Sequence, residues 1–301
     1  MYDIIIVGAG PAGLTAAIYA RRAQKSVLVL EAKSYGGQII NTLDIENNPV
    51  EEHISGFDFA TKLFNQAKAL GTEVVFEKVV DINNLGNSKE VITTKNKYTG
   101  KAVILATGSE NRKLGLSNED ELVGKGISYC ATCDGAFYKG KVTAVVGGGN
   151  TALEDALYLS DIAAKVYLIH RRDEFRADET TIKQLKNREN VEFVLNSSVN
   201  KLNAEDRLSS IEVTNKDGLV RNIVVNGLFV AVGRIPENQN FARLVDLDDA
   251  GYVKAGEDCK TNCAGIFTAG DNRIKEVRQL VTATGDGAVA ATSAIKYINS
   301  L

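Results

Sequence analysis

Twice in this chain a strand-length apolar run stops at a cluster of glycines and gives way to a helical pattern, and few folds accommodate that. The first case is residues 2–7, followed by Gly8-Ala9-Gly10-Pro11-Ala12-Gly13, an Ala-rich stretch over 11–24 and a second apolar run at 26–30. The second is residues 141–146, followed by Gly147-Gly148-Gly149-Asn150-Thr151-Ala152, a helical stretch to about residue 159 and a strand at 165–169. Each reads as strand–helix–strand, the unit from which parallel α/β sheets are built. In such a turn the first glycine allows the tight bend and the second lets a pyrophosphate approach the backbone. The third position, Gly13 or Ala152, packs helix on strand, and the helix N-terminus offers free N–H groups to phosphate. Taken singly, either could be a plain glycine turn.

The residues that close the two units have opposite charge. Glu31 ends the strand after the first turn, where a carboxylate can take a ribose hydroxyl. At the same offset from Gly147 stands His170, followed by Arg171, Arg172 and Arg176. Arginines there suit a 2′-phosphate, which the guanidinium fork binds by charge-assisted hydrogen bonds. At roughly 1.5–3 kcal/mol per bond, two of them favour NADPH over NADH by about a hundredfold or more. The plain alternative is a solvated basic strand end. Two turns of opposite polarity imply two different dinucleotides, FAD at the Glu31 site and NADPH at the arginine site.

A chain of 301 residues has room for about two domains. Its net charge of −3 comes without any Lys/Arg block, which argues against a nucleic-acid partner. Apolar runs stay far below the roughly 18 residues of a membrane span. The first strand starts at once, leaving no room for an export signal, so the cytosol is the expected compartment.

The rest of the pattern suggests one domain inserted in another. A helix is expected over 56–70, with Gly71 as its stop, then short strands at 73–76, 79–82 and 89–94 and an apolar strand at 101–106. The second unit continues with a helix near 178–188 and closes at residues 227–233. A third small-residue turn, Thr268-Ala269-Gly270-Asp271, precedes an Ala-rich helix near 278–298. It is most simply explained if the chain returns to the first domain. The expected fold is therefore α/β with two Rossmann-like domains: residues 1–113 and 239–301 for FAD, and 114–238 for NADPH. Polar, Gly- or Pro-bearing links lie near 112–116 and 235–238.

Just ahead of the second turn stands Cys130-Ala131-Thr132-Cys133-Asp134. Four cysteines are too few for a disulfide scaffold. The pair reads as a redox dithiol; half a zinc site completed by Cys259 and Cys263, or two inert thiols, are the open alternatives. Cys259 and Cys263 themselves read as buried free thiols. A dithiol couple needs a proton carrier, and the chain has only two histidines. His170 belongs to the second turn and His53 to a polar loop. Asp134 is left as the candidate acid/base, provided burial or a nearby thiolate raises its pKa. A turn aspartate before Gly135 is the plain reading.

With Gly36-Gly37-Gln38, Ala106-Thr107-Gly108, Ala269-Gly270-Asp271 and Arg278-Gln279 added to these motifs, the chain resembles the bacterial low-molecular-weight thioredoxin reductases over its whole length. The resemblance implies a homodimer whose FAD domain comes from both ends of the chain and whose inserted NADPH domain carries the cysteines. It implies that Gly36, Gly37, Gln38, Asn47, Thr107 and Gly108 line the flavin site. Asp271 would bind the ribityl–phosphate region, and Arg278, Gln279 and Leu280 would lie at the isoalloxazine. Cys133 would face the flavin and Cys130 would meet thioredoxin. Larger disulfide reductases are longer and use a catalytic His that has no counterpart here. One departure concerns docking: the family's best-known members carry two adjacent aromatics directly after Cys-Asp-Gly, whereas Ala136 comes first here, then Phe137 and Tyr138.

These readings converge on electrons passing from NADPH to FAD, to the Cys130/Cys133 pair and on to the disulfide of thioredoxin. If the NADPH site and the dithiol cannot reach one flavin together, the inserted domain must turn on its two links. The rivals are a flavin enzyme fed by ferredoxin or passing electrons to oxygen, and a non-catalytic redox-sensing or zinc-binding module. The arginine cluster speaks against the first two.

Overall fold

Ile4, Ile5 and Ile6 are wholly buried, as a parallel strand covered on both faces must be. They lie in β1 (Tyr2–Val7), which leads through the first glycine turn into α1 (Pro11–Arg22) and back into β2 (Val27–Glu31). α2 (Gly56–Ala69) follows, capped by the Ser55 side chain on the Asp58 amide. Then come β3 (Glu73–Phe76), β4 (Val79–Asn84), β5 (Lys89–Thr93), β6 (Lys97–Leu105) and β7 (Ser109–Asn111). The next segment holds β8 (Ile127–Ser128), α3 (Ala131–Asp134), β9 (Val142–Gly147), α4 (Asn150–Ile162), β10 (Lys165–Ile169) and α5 (Glu179–Lys186). It continues with β11 (Val191–Val194), β12 (Ser197–Ala204), β13 (Leu208–Asn215), β14 (Val220–Val224), β15 (Gly227–Ala231) and β16 (Arg234–Pro236). β17 (Ile266–Thr268) and α6 (Leu280–Asn299) end the chain. The computed structural model describes residues 1–42 and 44–301.

The chain divides into two units, Met1–Glu110 with Ile235–Leu301, and Asn111–Arg234. In the first, the sheet runs β3-β2-β1-β6-β5-β4. β1, β2, β3 and β6 are parallel, and β4 and β5 form an antiparallel edge. The first half of β6 pairs with β5 and its second half with β17, which is parallel to it. That pairing is the return of the chain expected from the third small-residue turn. One face of the sheet, with Ile4, Ile6, Val29 and Ile104, packs on α1 and α6. The other packs Ile5, Leu28 and Leu105 on Phe241, Val245 and Val253.

In the second unit five parallel strands run β11-β10-β9-β15-β8. Their buried residues Val145 and Phe229 pack on Leu153, Ala156 and Leu159 of α4 and on Ala131 of α3. The opposite face packs on the antiparallel sheet β12-β13-β14 through Val199, Ile211 and Ile223. Residues 111–128 are polar in sequence, yet β8 pairs in parallel with β15 at Leu228 and Phe229 and becomes the fifth strand. Among the described residues no helix is long and apolar enough to cross a membrane.

α1 and α6 approach closely at Gly287, where a Cβ would strike the Ala12 carbonyl; at Gly285, two residues earlier, nothing lies within 4 Å. Replacing an open helical glycine by alanine gains about 1 kcal/mol, whereas forcing a methyl into a packed contact costs about 1–3 kcal/mol. Gly287→Ala is therefore expected to lower the unfolding temperature, as measured by thermal unfolding beside the wild type.

Candidate active site

The first glycine turn is locked by its neighbours. Gly8 has φ +109° and Gly13 lies on the Gly8 carbonyl, so no side chain fits at either. Glu31, at the end of β2, accepts the Ala9 amide at 2.8 Å on one oxygen and the Lys33 amide at 2.8 Å on the other. Its carboxylate therefore stands at the rim of the turn. The Gly36 amide donates to Ala9 O (2.8 Å), which brings the Gly36–Gly37 loop against Gly10 and Pro11; Gln38 beside it is exposed. Gly10 caps α1 with no side-chain hydrogen bond, and the nearest atom to a Cβ there would be Gly37 Cα at 3.9 Å. Free helix amides under open space are a phosphate seat.

Other residues of this unit gather in small groups. Asn47 Nδ2 donates to Gln279 Oε1 at 3.2 Å, and Thr107 Oγ1 donates to Asn238 Oδ1 at 3.0 Å beside Gly108. Asp271 is half-buried at the turn after β17, and Leu280 is buried at the start of α6. The Arg278 guanidinium lies 4.2 Å over the Tyr252 ring, and its buried Nε has no hydrogen-bond partner among the described residues. A buried cationic donor of this kind needs an acceptor from outside the chain. Open amides, a carboxylate at the rim of the turn and an orphaned arginine donor fit a flavin dinucleotide.

The turn after β17 has an organiser that the sequence gives little sign of. Asp286, buried on α6, accepts from the Gly270 amide (2.9 Å), from Arg273 Nε (2.8 Å) and Nη2 (2.7 Å), and from Lys275 Nζ (2.9 Å). Burial pushes its carboxyl up, but these donors outweigh burial and hold it below the ordinary range. Its position, a full turn inside a helix, carries no motif.

In the second unit Gly147 lies against the Ala231 carbonyl and the Ala152 methyl, so strand and helix touch there. Gly149 caps α4 with no side-chain hydrogen bond. Asn150 Oδ1 accepts the Asp178 amide at 3.0 Å, and Thr151 is exposed in the first turn of α4. The Arg176 amide donates to Gly148 O at 2.7 Å, so the arginine segment is tied to the turn by its backbone. Arg171, Arg172 and Arg176 are all exposed. His170 has a different place from its arginine neighbours. Its ring lies directly on Gly148, stacks on Phe175 (centroids 5.3 Å apart), and its Nε2 is 3.1 Å from Glu174 O. Burial, with the arginine charges, lowers its pKa. A neutral ring thus backs the turn while three guanidinium groups face solvent, which fits a nucleotide with an extra phosphate.

Cys130 and Cys133 are joined as a disulfide, S–S 2.02 Å and Cα–Cα 5.3 Å, so neither offers a thiolate to a metal. The only group of three or more potential metal ligands among the described residues, Asp44, Glu46 and His53, contains no cysteine. Cys130 caps α3, and its Sγ is 3.4 Å from Thr132 Oγ1. Asp134 ends that helix, and burial raises its pKa, opposed by the Ser128 hydroxyl. Ser128 Oγ donates to Asp134 Oδ2 at 2.6 Å and accepts the Cys130 amide at 3.0 Å, so one hydroxyl joins the candidate acid to the dithiol loop. The sequence reading missed Ser128. It also missed Glu119, which accepts the Leu114 and Gly115 amides and, at 2.8 Å, the hydroxyl of Tyr129 next to Cys130.

Two of the sequence readings change in the fold. Tyr138 is buried against Gly227 and Phe229, so only Phe137 of the aromatic pair is exposed. Cys263 is half-buried and bonded by Asn84 Nδ2 at 3.3 Å, whereas Cys259 is fully buried. Burial, then the charge of Asp286, pushes the Cys259 thiol up to about 12, so it stays protonated.

The geometry agrees with comparisons to known proteins. The model of the pyridine nucleotide-disulphide oxidoreductase family matches residues 2–287. The chain belongs to that family. A thioredoxin reductase of Listeria monocytogenes is 42% identical over 100% of this chain and 95% of its own length. That of Bacillus subtilis is 40% identical over 100% and 96%. The crystal structure of the Streptococcus pyogenes thioredoxin reductase superposes with a TM-score of 0.95 at 39% identity, covering 100% of this chain and 99% of that one.

If Ser128 holds down the Asp134 pKa, then Ser128→Ala raises it. In carboxyl-13C aspartate spectra, with Asp134→Asn as the assignment control, the Asp134 titration is expected to move to higher pH. An unmoved titration would remove the Ser128–Asp134 bond from the account.

Proposed function

We propose that this chain is an NADPH-dependent thioredoxin reductase, a flavoprotein that carries electrons from NADPH through FAD and the Cys130/Cys133 pair to the disulfide of thioredoxin. The observation that carries the reading is a dithiol, already paired, on the helix next to the second of two dinucleotide turns of opposite charge. Full-length similarity at about 40% identity to proteins of that name supports it.

FAD is held by Gly8, Gly10, Pro11, Ala12, Gly13 and Glu31, by Gly36, Gly37, Gln38 and Asn47, by Thr107 and Gly108, and by Asp271, Arg278, Gln279 and Leu280. NADPH is held by Gly147, Gly149, Asn150, Thr151 and Ala152, with His170 behind the turn and Arg171, Arg172 and Arg176 on the 2′-phosphate. When bound, the two cofactors supply hydride transfer and an electron pair for the disulfide. On the chain's side, Cys133 is the sulfur that takes up that pair, and Cys130 leaves as thiolate. The Cys130 thiolate attacks one sulfur of the thioredoxin disulfide and displaces the other. Cys133 then attacks Cys130 in the mixed disulfide and releases reduced thioredoxin. Asp134 exchanges the protons, helped by a carboxyl pKa that burial has raised.

The protein acts as a homodimer. Ile274, Val277, Val281 and Val289 leave an exposed apolar strip on and before α6 that favours a second copy. Phe137 is the aromatic contact for thioredoxin. Its compartment is the cytoplasm, where a dithiol is kept reducible.

Cys130→Ser is expected to abolish thioredoxin reduction while NADPH still bleaches the flavin. Continued thioredoxin turnover would overturn the reading. Arg171→Ala combined with Arg172→Ala is expected to raise KM for NADPH about a hundredfold or more and to leave KM for NADH nearly unchanged. Equal effects on the two nucleotides would remove the arginines from the 2′-phosphate.

A further inference from the structure

Three parts of the first unit meet at one residue, Ala12 of the first glycine turn. A Cβ at Gly270, in the turn after β17, would stand 2.9 Å from the Ala12 methyl, and a Cβ at Gly287 of α6 would strike the Ala12 carbonyl. Asp286 lies between these contacts and divides its oxygens among four donors. Oδ2 accepts the Gly270 amide (2.9 Å), Arg273 Nε (2.8 Å) and Lys275 Nζ (2.9 Å), and Oδ1 accepts Arg273 Nη2 (2.7 Å). The side chains of Asp286, Arg273 and Lys275 are all less than one-tenth exposed. No residue assigned to the flavin belongs to this trio.

Two residues of the flavin site nevertheless depend on it. Asp271 follows Gly270, whose amide the carboxylate holds. Arg278 reaches back to Arg273, its Nη2 donating to the Arg273 carbonyl over a long 3.4 Å. The Arg278 guanidinium also lies over the Tyr252 ring. Val253, the next residue, bonds the chain on both sides of Arg273: its amide donates to Asn272 O and its carbonyl accepts the Ile274 amide, each at 3.0 Å. The orphaned Nε of Arg278 is thus carried by a side chain whose supports are tied to Arg273.

We propose that Asp286 is a positioning residue for FAD: one carboxylate sets the Gly270–Asp271 turn and, through Arg273, the Arg278 guanidinium. A guanidinium fork on two carboxylate oxygens fixes orientation as well as distance. Contacts ordered before the ligand arrives spare it the cost of ordering them. A purely electrostatic part for Asp286 has the opposite consequence. Its one negative charge stands against the two positive charges of Arg273 and Lys275, so its loss leaves the site more positive. Charge alone would then tighten the hold on an anionic dinucleotide, whereas lost positioning loosens it.

This inference rests on the reading of the first unit as the FAD site. The test uses the full-length holoenzyme. Each protein is diluted and equilibrated, free FAD is separated by ultrafiltration and quantified, and circular dichroism reports folding. Asp286→Asn is expected to raise the dissociation constant of FAD about tenfold or more, as loss of charge-assisted bonds implies. Arg278→Gln is expected to raise it as well. The double variant should fall short of the product of the two single effects by about threefold or more, because Arg278 is held through the residue that Asp286 holds. Effects that simply multiply, as a loss of stability unconnected with Arg278 would give, overturn the proposal. Unchanged or tighter FAD binding in Asp286→Asn overturns it too. Arg273→Lys keeps the charge without the fork, and its cycle with Arg278→Gln decides in the same way if Asp286→Asn does not fold. A folded wild-type protein that neither carries nor binds FAD overturns the reading beneath the proposal, whatever the variants do.

Discussion

A Cβ at Gly135 would stand 2.6 Å from the Tyr158 ring, and a Cβ at Gly147 would meet both the Ala152 methyl and the Ala231 carbonyl. These close approaches press the dithiol helix and the nucleotide-binding strand against the same helix, α4. The consequence is geometric economy: one helix starts at the second glycine turn with no side-chain cap, backs the Cys130–Cys133 segment along its side, and closes one face of the core through Leu153, Ala156 and Leu159. Larger residues at either glycine would move the dithiol and the nucleotide turn apart together.

Carboxylates do the local organising in both units. Glu31 fastens the first turn through the Ala9 and Lys33 amides, and Asp286 gathers Gly270, Arg273 and Lys275 around the turn after β17. In the second unit Glu119 does comparable work beside Cys130, holding the Leu114 and Gly115 amides and the Tyr129 hydroxyl. A buried carboxylate with several donors is costly to leave unpaired, about 3–5 kcal/mol when a partner is removed. Each such residue therefore fixes a loop that otherwise has little apolar packing.

Much of this was legible in the residues. The two glycine turns, the opposite charge at Glu31 and at Arg171, Arg172 and Arg176, and the third turn at Gly270 were enough for the α/β class and for the return of the chain to its first unit, because those features are short-range and periodic. What escaped was set by tertiary contact. β8 is two residues long in a polar stretch, and only its pairing with β15 makes it a strand. Tyr138 and Phe137 are adjacent aromatics in sequence, yet Tyr138 fits into the space left by the missing side chain at Gly227 and Phe137 stays exposed. Ser128, Glu119 and Asp286 bear no motif, since a capping or clamping role depends on what lies opposite in space. His170 stood in sequence with the arginines, and the fold places its ring behind the turn.

The central claim is that the electron pair delivered by NADPH ends on Cys130 and Cys133. Anaerobic titration of the purified holoenzyme with NADPH, followed by absorbance and by thiol counting with cysteine mapping, tests it most directly. The account predicts that a yellow flavin spectrum bleaches while two new reactive thiols appear, mapping to Cys130 and Cys133 and leaving Cys259 unlabelled. Bleaching with no new thiols, or thiols that map elsewhere, would contradict it.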